Sequence, residues 1–429
     1  MKRKFVSAAA VCAAFFMAPT PSFADERVAA PLILAKETVP TFTIEDFPWD
    51  LPEGRTEDVT VPLGDAVLTM PWMEVETDGE NRVLISAPEM TVSADVNGKT
   101  MAVLQLDATE FTVRRLGEAM AASGFVEALA ISGEQDFRTT AKGVEFSFTS
   151  RGYGPVIDAM KANEAADSDR MIEAMSMLNV SLDYSAKSSS FVTAESAQNE
   201  IPFDFEVSQG PAEGSISLGD GRIEILAKAT KSVFAGAGPI PVSGEIGSLS
   251  YRFAMPTDAS ATIQPISIDF GVSDVLLNDE IWDLADPEKI FPRALERVEL
   301  GMVMDVVLKR SLFAGSSVRR SPEELEPIGG RLSALEFDGL GVKVSAKGDI
   351  EMDGEIPKDV SAYASISGLS GFMKNLVKAG FLPQSQAILG EGIALQFAKE
   401  EADGSLTFDV KTVDGIISIN GNRVAPLPR

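Results

Sequence analysis

The feature that most narrows what this chain can fold into is a two-residue rhythm. Val59, Val61 and Leu63 fall on one side of DVTVPLG, and Met90, Val92 and Ala94 on one side of EMTVSADV. Val83, Leu84 and Ile85 open the strand that leads into the second of these runs, and Met101, Val103, Leu104 and Leu106 form another before Asp107 to Phe111. Val144, Phe146 and Phe148 alternate in GVEFSFTSRG. So do Ile216 with Leu218, Ile223 with Ile225, and Ile266, Ile268 and Phe270. Near the end, Val342, Val344 and Ala346 lead through Gly348 to Ile350 and Met352. Successive side chains of a strand point to opposite faces, so this pattern describes strands with one apolar and one wet side. Gly, Asp, Asn or Pro bounds each run, as strand ends require. The expected class is α+β and mostly β: long curled antiparallel sheets with short amphipathic helices packed on one face.

Helical spacing interrupts the rhythm in four places. Leu116, Ala119, Met120 and Ser123 have it in RRLGEAMAASG, and Ile157 with Met160 in GPVIDAMKA. A longer stretch covers Asp167 to Met177, with Met171, Ala174 and Met175 on one side. Met373, Leu376, Val377 and Gly380 repeat the spacing in SGFMKNLVKAG. Methionines set like this fill gaps in a core. FSFTSRGYGPVIDAMKA and YASISGLSGFMKNLVKAG share the order strand, glycine turn, helix, and read as a weak internal repeat.

The first residues carry an address. Lys2, Arg3 and Lys4 precede an apolar run from Phe5 to Met17, and Ser22 and Ala24 are the small residues that signal peptidase prefers. Residues 1–24 are therefore expected to be a Sec-type signal peptide cut after Ala24, which places the protein in a Gram-negative periplasm. The apolar run is shorter than the about 20 residues that span a bilayer. Cys12, the only cysteine, follows Val11 inside this run, which does not fit a lipid-anchor signal; the processed chain then has no thiol and no disulfide. Residues 25–55 hold Pro31, Pro40, Pro48 and Pro52 and read as a proline-rich arm. Residues 56–314 form a β-rich region with short helices, residues 315–330 (GSSVRRSPEELEPIGG) a linker or long loop, and residues 331–429 a second β-rich region with one helix. No later segment reads as transmembrane.

Composition removes most chemistry. The chain has no histidine, which excludes Ser-His-Asp and Cys-His nucleophilic sites and histidine-bearing zinc sites. A Ser-x-x-Lys dyad is missing, and the nearest spacing is Thr139 to Lys142. With 64 acidic residues any carboxylate spacing arises by chance, so no pair is singled out. Gly236 to Gly238 and Gly339 to Gly341 fail the phosphate-loop patterns. Asp349, Glu351 and Asp353 mimic a calcium loop, but its twelfth position is Val360; the alternating Ile350 and Met352 fit a strand ending in an Asp-Gly turn. A net charge of −27, or −30 without the signal peptide, disfavours nucleic acid and anionic surfaces and serves solubility. The expectation is a non-enzyme with no cofactor, no metal and no catalytic residue.

The segment Asn278 to Arg293, NDEIWDLADPEKIFPR, resembles a motif of an uncharacterised family of secreted alphaproteobacterial proteins, in which Trp precedes Asp-Pro and then Pro-Arg. Trp282, Asp286, Pro287, Pro292 and Arg293 match, while Ala285, Phe291 and Ala294-Leu295-Glu296 depart from it. The resemblance implies an envelope location and a β-rich fold, and no activity. The terminal DGSLTFDVKTVDGIISINGNRV is similar to the ends of AsmA- and YdgA-type β-repeat envelope proteins, because Asp403-Gly404, Asp414-Gly415 and Asn420-Gly421 are good turn pairs. Trp282 and the Asp286-Pro287 turn read as a structural plug. Two roles remain open. One is binding an apolar envelope molecule such as a lipid on a concave sheet face. The other is a structural or interaction protein whose sheets are filled by its own helices.

Overall fold

The computed structural model describes residues 53–62, 66–77, 82–96, 99–116, 119–132, 138–152, 154–156, 158, 169–193, 204–237, 242–279, 282–283, 286–313, 325–353, 356–413 and 415–427. The signal peptide, nearly all of the arm, Leu63, Ile157 and Met160 lie outside these residues. The chain divides into two compact units: described residues up to 229 with 235–237 and 312–313, and residues 230–234, 242–311 and 325–427. Of the stretch read as a linker, residues 325–330 instead open a strand, Leu325–Gly339. The paired residues Leu325, Pro327 and Gly329 meet Leu308, Val306 and Asp305, so neighbouring strands capture this polar-looking segment.

Unit 1 is an antiparallel meander. Its strands are β1 (Gly54–Pro62), β2 (Ala66–Thr77), β3 (Arg82–Val96), β4 (Lys99–Leu116), β5 (Ala119–Ser132) and β6 (Arg138–Arg151), each paired with the next. Helix α1 (Asp169–Ser176) follows, within the segment expected to be helical. The chain then returns beside β6 as β7 (Asn179–Ala186) and β8 (Ser188–Thr193), two halves of one line. Next come β9 (Asp204–Gln209) and β10 (Ala212–Gly219), halves of a second line, and β11 (Arg222–Ala237). Asp220 and Gly221, both at positive φ, close the β10–β11 hairpin in the conformation a two-residue turn needs.

The helix expected around Leu116 to Ser123 is not there. Residues 119–123 open β5 and pair with Arg151 to Ser147 on one side and Leu116 to Thr112 on the other. Alanine and glycine fit either state, and pairing on both flanks overrides a weak local preference.

Unit 2 repeats the plan. Its strands β12 (Val242–Pro256), β13 (Gln264–Leu277), β14 (Ala294–Leu308), β15 (Leu325–Gly339), β16 (Val342–Asp353) and β17 (Ile356–Ser367) pair in order. Helices α2 (Leu369–Lys378) and α3 (Gln384–Phe397) then leave the sheet. The chain comes back through β18 (Lys399–Glu400) to β19 (Leu406–Val413), which pairs with β17, and ends in β20 (Ile416–Ile419) and β21 (Asn422–Pro426). Helix α3 was not anticipated.

Candidate functional site

The site with the most distinctive chemistry is a sheet face. In unit 1 the pairing lapses at a common level, over one residue per strand at most pairs and over four, 70–73 and 87–90, between β2 and β3. Asp58 stands opposite Pro71, Pro88 opposite Ala108, Ala108 opposite Glu127, and Glu127 opposite Gly143, each without a register partner there. The line continues through Lys187, between β7 and β8, to Pro211, between β9 and β10. Asp58, Ala108 and Gly143 have positive φ. The prolines need no donor partner, which suits a level where the ladder is broken. Gly143 takes its positive φ without the strain a side chain would add, and leaves room for the Lys187 side chain.

This row acts as a crease. An extra residue moves a strand's side chains to the opposite face, so the apolar phase must shift across it to stay on one side. It does. In β3, Val83, Ile85 and Ala87 give way to Met90 and Val92; in β5, Val126 to Leu129 and Ile131; in β6, Thr139 and Ala141 to Val144, Phe146 and Phe148. In the β7–β8 line, Leu182, Tyr184 and Ala186 give way to Ser189 and Phe191.

Burial has two centres, a cluster of Val75, Val83 and Ile85 with Met73 and Phe111 packed against it, and the crease. Ala87, Thr109, Val126 and Ala141 flank it and are each 3 % exposed; Met70, Ala186 and Ser189 beside it are also buried. Farther out, Val83, Val113 and Ile131 are buried, while Phe111, Phe146, Phe148, Leu182, Tyr184, Leu104, Leu106, Leu129 and Phe191 are half-buried. Gly214 seats the Tyr184 ring and Gly124 seats Phe111, since a Cβ at either would collide. Burial pushes the Tyr184 phenol up to about 12 by desolvation, the mark of a surface poor in water. From β2 to β10 the inner ranks hold charged residues only at their ends, where Lys99 pairs with Val96 and Arg115 with Met120, although a quarter of the chain is charged.

Unit 2 has a second face of this kind. Register places Tyr251, Phe270, Leu300, Leu335, Ala346, Ala364 and Phe408 in one rank across seven strands. The next rank is Phe253, Ile268, Met302, Leu332, Gly348, Ala362 and Val410. Met302 is 44 % and Met304 37 % exposed. Tyr251 too is pushed above its ordinary value by burial. Charges occupy the opposite side: Arg331 with Asp349 at 2.8 Å, Arg297 with Glu336 at 3.1 Å, and Arg252 with Asp269 at 3.9 Å.

The other residues singled out from sequence have structural places. Asp349, Glu351 and Asp353 lie on the wet side of β16, which runs into β17 as a hairpin, so they do not form a calcium loop. Thr139 is buried on the inner face and Lys142 exposed, so the two do not form a dyad. Within Asn278 to Arg293, the buried Asp286 accepts the Phe291 amide at 2.7 Å, and its own amide donates to the Trp282 carbonyl at 2.7 Å. Arg293 caps the Leu277 carbonyl at 2.6 Å and pairs with Asp279. The buried aromatic is Phe291, one of the departures from the family pattern, while Trp282 is half-buried. Phe291 stacks against Phe372 at 6.1 Å and Phe381 at 6.4 Å, so the motif is a plug beneath the helical pair.

Among the described residues no group of three or more His, Cys, Asp or Glu could hold a metal ion, and no helix is long and apolar enough to cross a membrane. An open concavity of about 270 Å³ lies over β1 to β3, lined by the polar Asp58, Thr60, Thr69, Glu89 and Thr91 together with Val59, Met70 and Pro71. Compared with protein-family models, with curated proteins and with solved structures, the chain matches none.

Proposed function

We propose that this is a non-enzymatic periplasmic protein whose mostly apolar inner faces take an apolar envelope molecule, the acyl chains of a lipid. The observation that carries this reading is the inner face of unit 1, where small residues close the crease and half-open Phe146, Phe148, Leu182 and Phe191 line the walls beside it. Each methylene moved from water onto such a surface contributes about 0.8 kcal/mol, so a few buried carbons suffice for binding without a polar contact. The resemblance around Trp282 to Arg293 and the signal-like first 24 residues agree with an envelope address.

Native mass spectrometry of protein isolated without detergent, followed by organic extraction, tests the reading. A copurified lipid that Phe148→Glu removes is the expected result. Bare protein from several growth conditions would favour the second reading, a structural or interaction protein of the envelope, for which the packed row along the crease speaks.

A further inference from the structure

Helix α3 is built inside out. Ala387, Gly390, Glu391 and Ala394 fall on the arc turned toward cover, and a Cβ on Gly390 would press on Met373 of α2. Its large residues point the other way: Ile388 is 63 % exposed, Leu389 64 %, Ile393 50 % and Leu395 50 %, with Phe381 before the helix at 60 %. A helix that pairs through small residues and shows its large apolar ones to solvent reverses the usual arrangement. The surface is also held in place. Phe372 and Phe381 pack on the buried Phe291, Lys378 reaches Glu288 at 4.0 Å, and Ser370 bonds to Glu391. At the far end, Asn420 Nδ2 donates to the Phe397 carbonyl at 2.8 Å.

The charges say what such a surface can meet. Residues 379–398 contain a single charged side chain, Glu391, where the chain's average of 24 % would give about five. With Lys374 and Lys378 on α2, the pair of helices carries net +1, or none once Glu288 beside Lys378 is counted, on a chain of net charge −27. The exposed polar groups of the helix are the uncharged Gln384, Ser385, Gln386 and Gln396, which give a protein partner no ion pair to fix a register. An anionic lipid surface repels most of this chain and accepts this part of it.

We propose that the α2–α3 pair docks on a phospholipid bilayer. Phe381, Ile388, Leu389, Ile393 and Leu395 enter the boundary between headgroups and acyl chains, and Lys374 and Lys378 face the phosphates. This goes beyond binding at the sheet faces and does not depend on it.

Vesicle flotation of the protein as the cell processes it tests the proposal, with phosphatidylcholine alone and with added phosphatidylglycerol. Binding to both is expected, tighter with phosphatidylglycerol at low salt. Ile388→Glu with Leu389→Glu should weaken it by about tenfold or more. Lys374→Glu with Lys378→Glu should remove the anionic preference and leave phosphatidylcholine binding. Both pairs are exposed, so unchanged circular dichroism is the control for folding. No flotation of the native chain, or flotation indifferent to the Ile388 and Leu389 pair, overturns the proposal. So does a dimer in light scattering that the same pair dissolves, because the occupant is then a second copy. Lipid that copurifies with a protein unable to float would leave the sheet-face reading standing and sink this one.

Discussion

In unit 1 the strands lose phase together, at one level from β1 to β10, whereas in unit 2 β12, β13 and β14 share a level at Gly247, Asp274 and Glu296 and the other shifts are scattered, at Gly301/Met302, Asp305/Val306, Leu332/Leu335 and Glu351/Met352. The two units otherwise share a plan. Six meandering strands, β1 to β6 and β12 to β17, end at Gly152 and Gly368, each at positive φ; a helical excursion follows, and the chain returns beside the strand it left. The difference falls in the packing. The crease gathers buried residues such as Ala87, Thr109 and Ala141 into a line, while unit 2 has its irregularities on β14 and β15 between the two ranks and leaves Met302 and Met304 open. One topology thus accommodates phase lost at a single level in unit 1 and at several levels in unit 2.

The sharpest way to break the comparison is to remove the extra residue. Deleting Glu127 would turn Leu129 and Ile131 to the wet face and should abolish the native fold of unit 1, read by hydrogen exchange. Glu127→Ala, at the same exposed position, should change stability by less than about 0.5 kcal/mol. A native exchange pattern in the deletion variant would remove the crease from the account.

The shared plan is tested next. A Cβ at Gly152 would collide with the Met177 carbonyl, and one at Gly368 with that of Gly341. Gly152→Val and Gly368→Val should each cost about 3 kcal/mol or more in denaturant unfolding, from strain and overlap together. A third pair separates seam from open face. Ala141→Leu overfills the crease and should cost about 1–3 kcal/mol, whereas Ala364→Leu, on the half-open face of unit 2, should cost under about 1 kcal/mol. Equal costs would mean that the two faces are packed alike.

A smaller effect is expected in alkali. The folded pKa of Tyr184 is raised from 10.0 to about 12, so its contribution to stability is complete below 10 and is lost as pH rises through 12. Tyr184→Phe should flatten that decline in a pH series of unfolding midpoints. Smallest of all, Arg331→Ala removes an exposed pair with Asp349 and should cost no more than about 1 kcal/mol.

Much of this fold could be read from residues. Alternation located the strands, and the likeness of FSFTSRGYGP to YASISGLSGF marked the two departures at Gly152 and Gly368. The crease was also written there, as the step from Ala87 to Met90 and from Val126 to Leu129. One such skip is an ordinary irregularity; only register aligns several of them into a line. Helix α3 was hidden for a different reason. Its apolar residues surround the axis, so no 3.6-residue stripe stands out, and their sorting by size depends on α2. Around Leu116 the helical spacing was genuine and lost to pairing on two flanks. The plug reading of Asp286 held, but Phe291 and not Trp282 fills the space, a choice set by the helices above it.

The central claim is that the mostly apolar side of the creased sheet meets acyl chains. Cys12 is the only cysteine, inside the stretch expected to be removed, so a single cysteine can carry a fluorophore at Phe148 on the inner face or at its neighbour Ser147 on the outer one. With lipids brominated along the acyl chain, the account predicts strong quenching at position 148 and little at 147. Equal quenching at both positions, or none at 148 while lipid is bound, would contradict it.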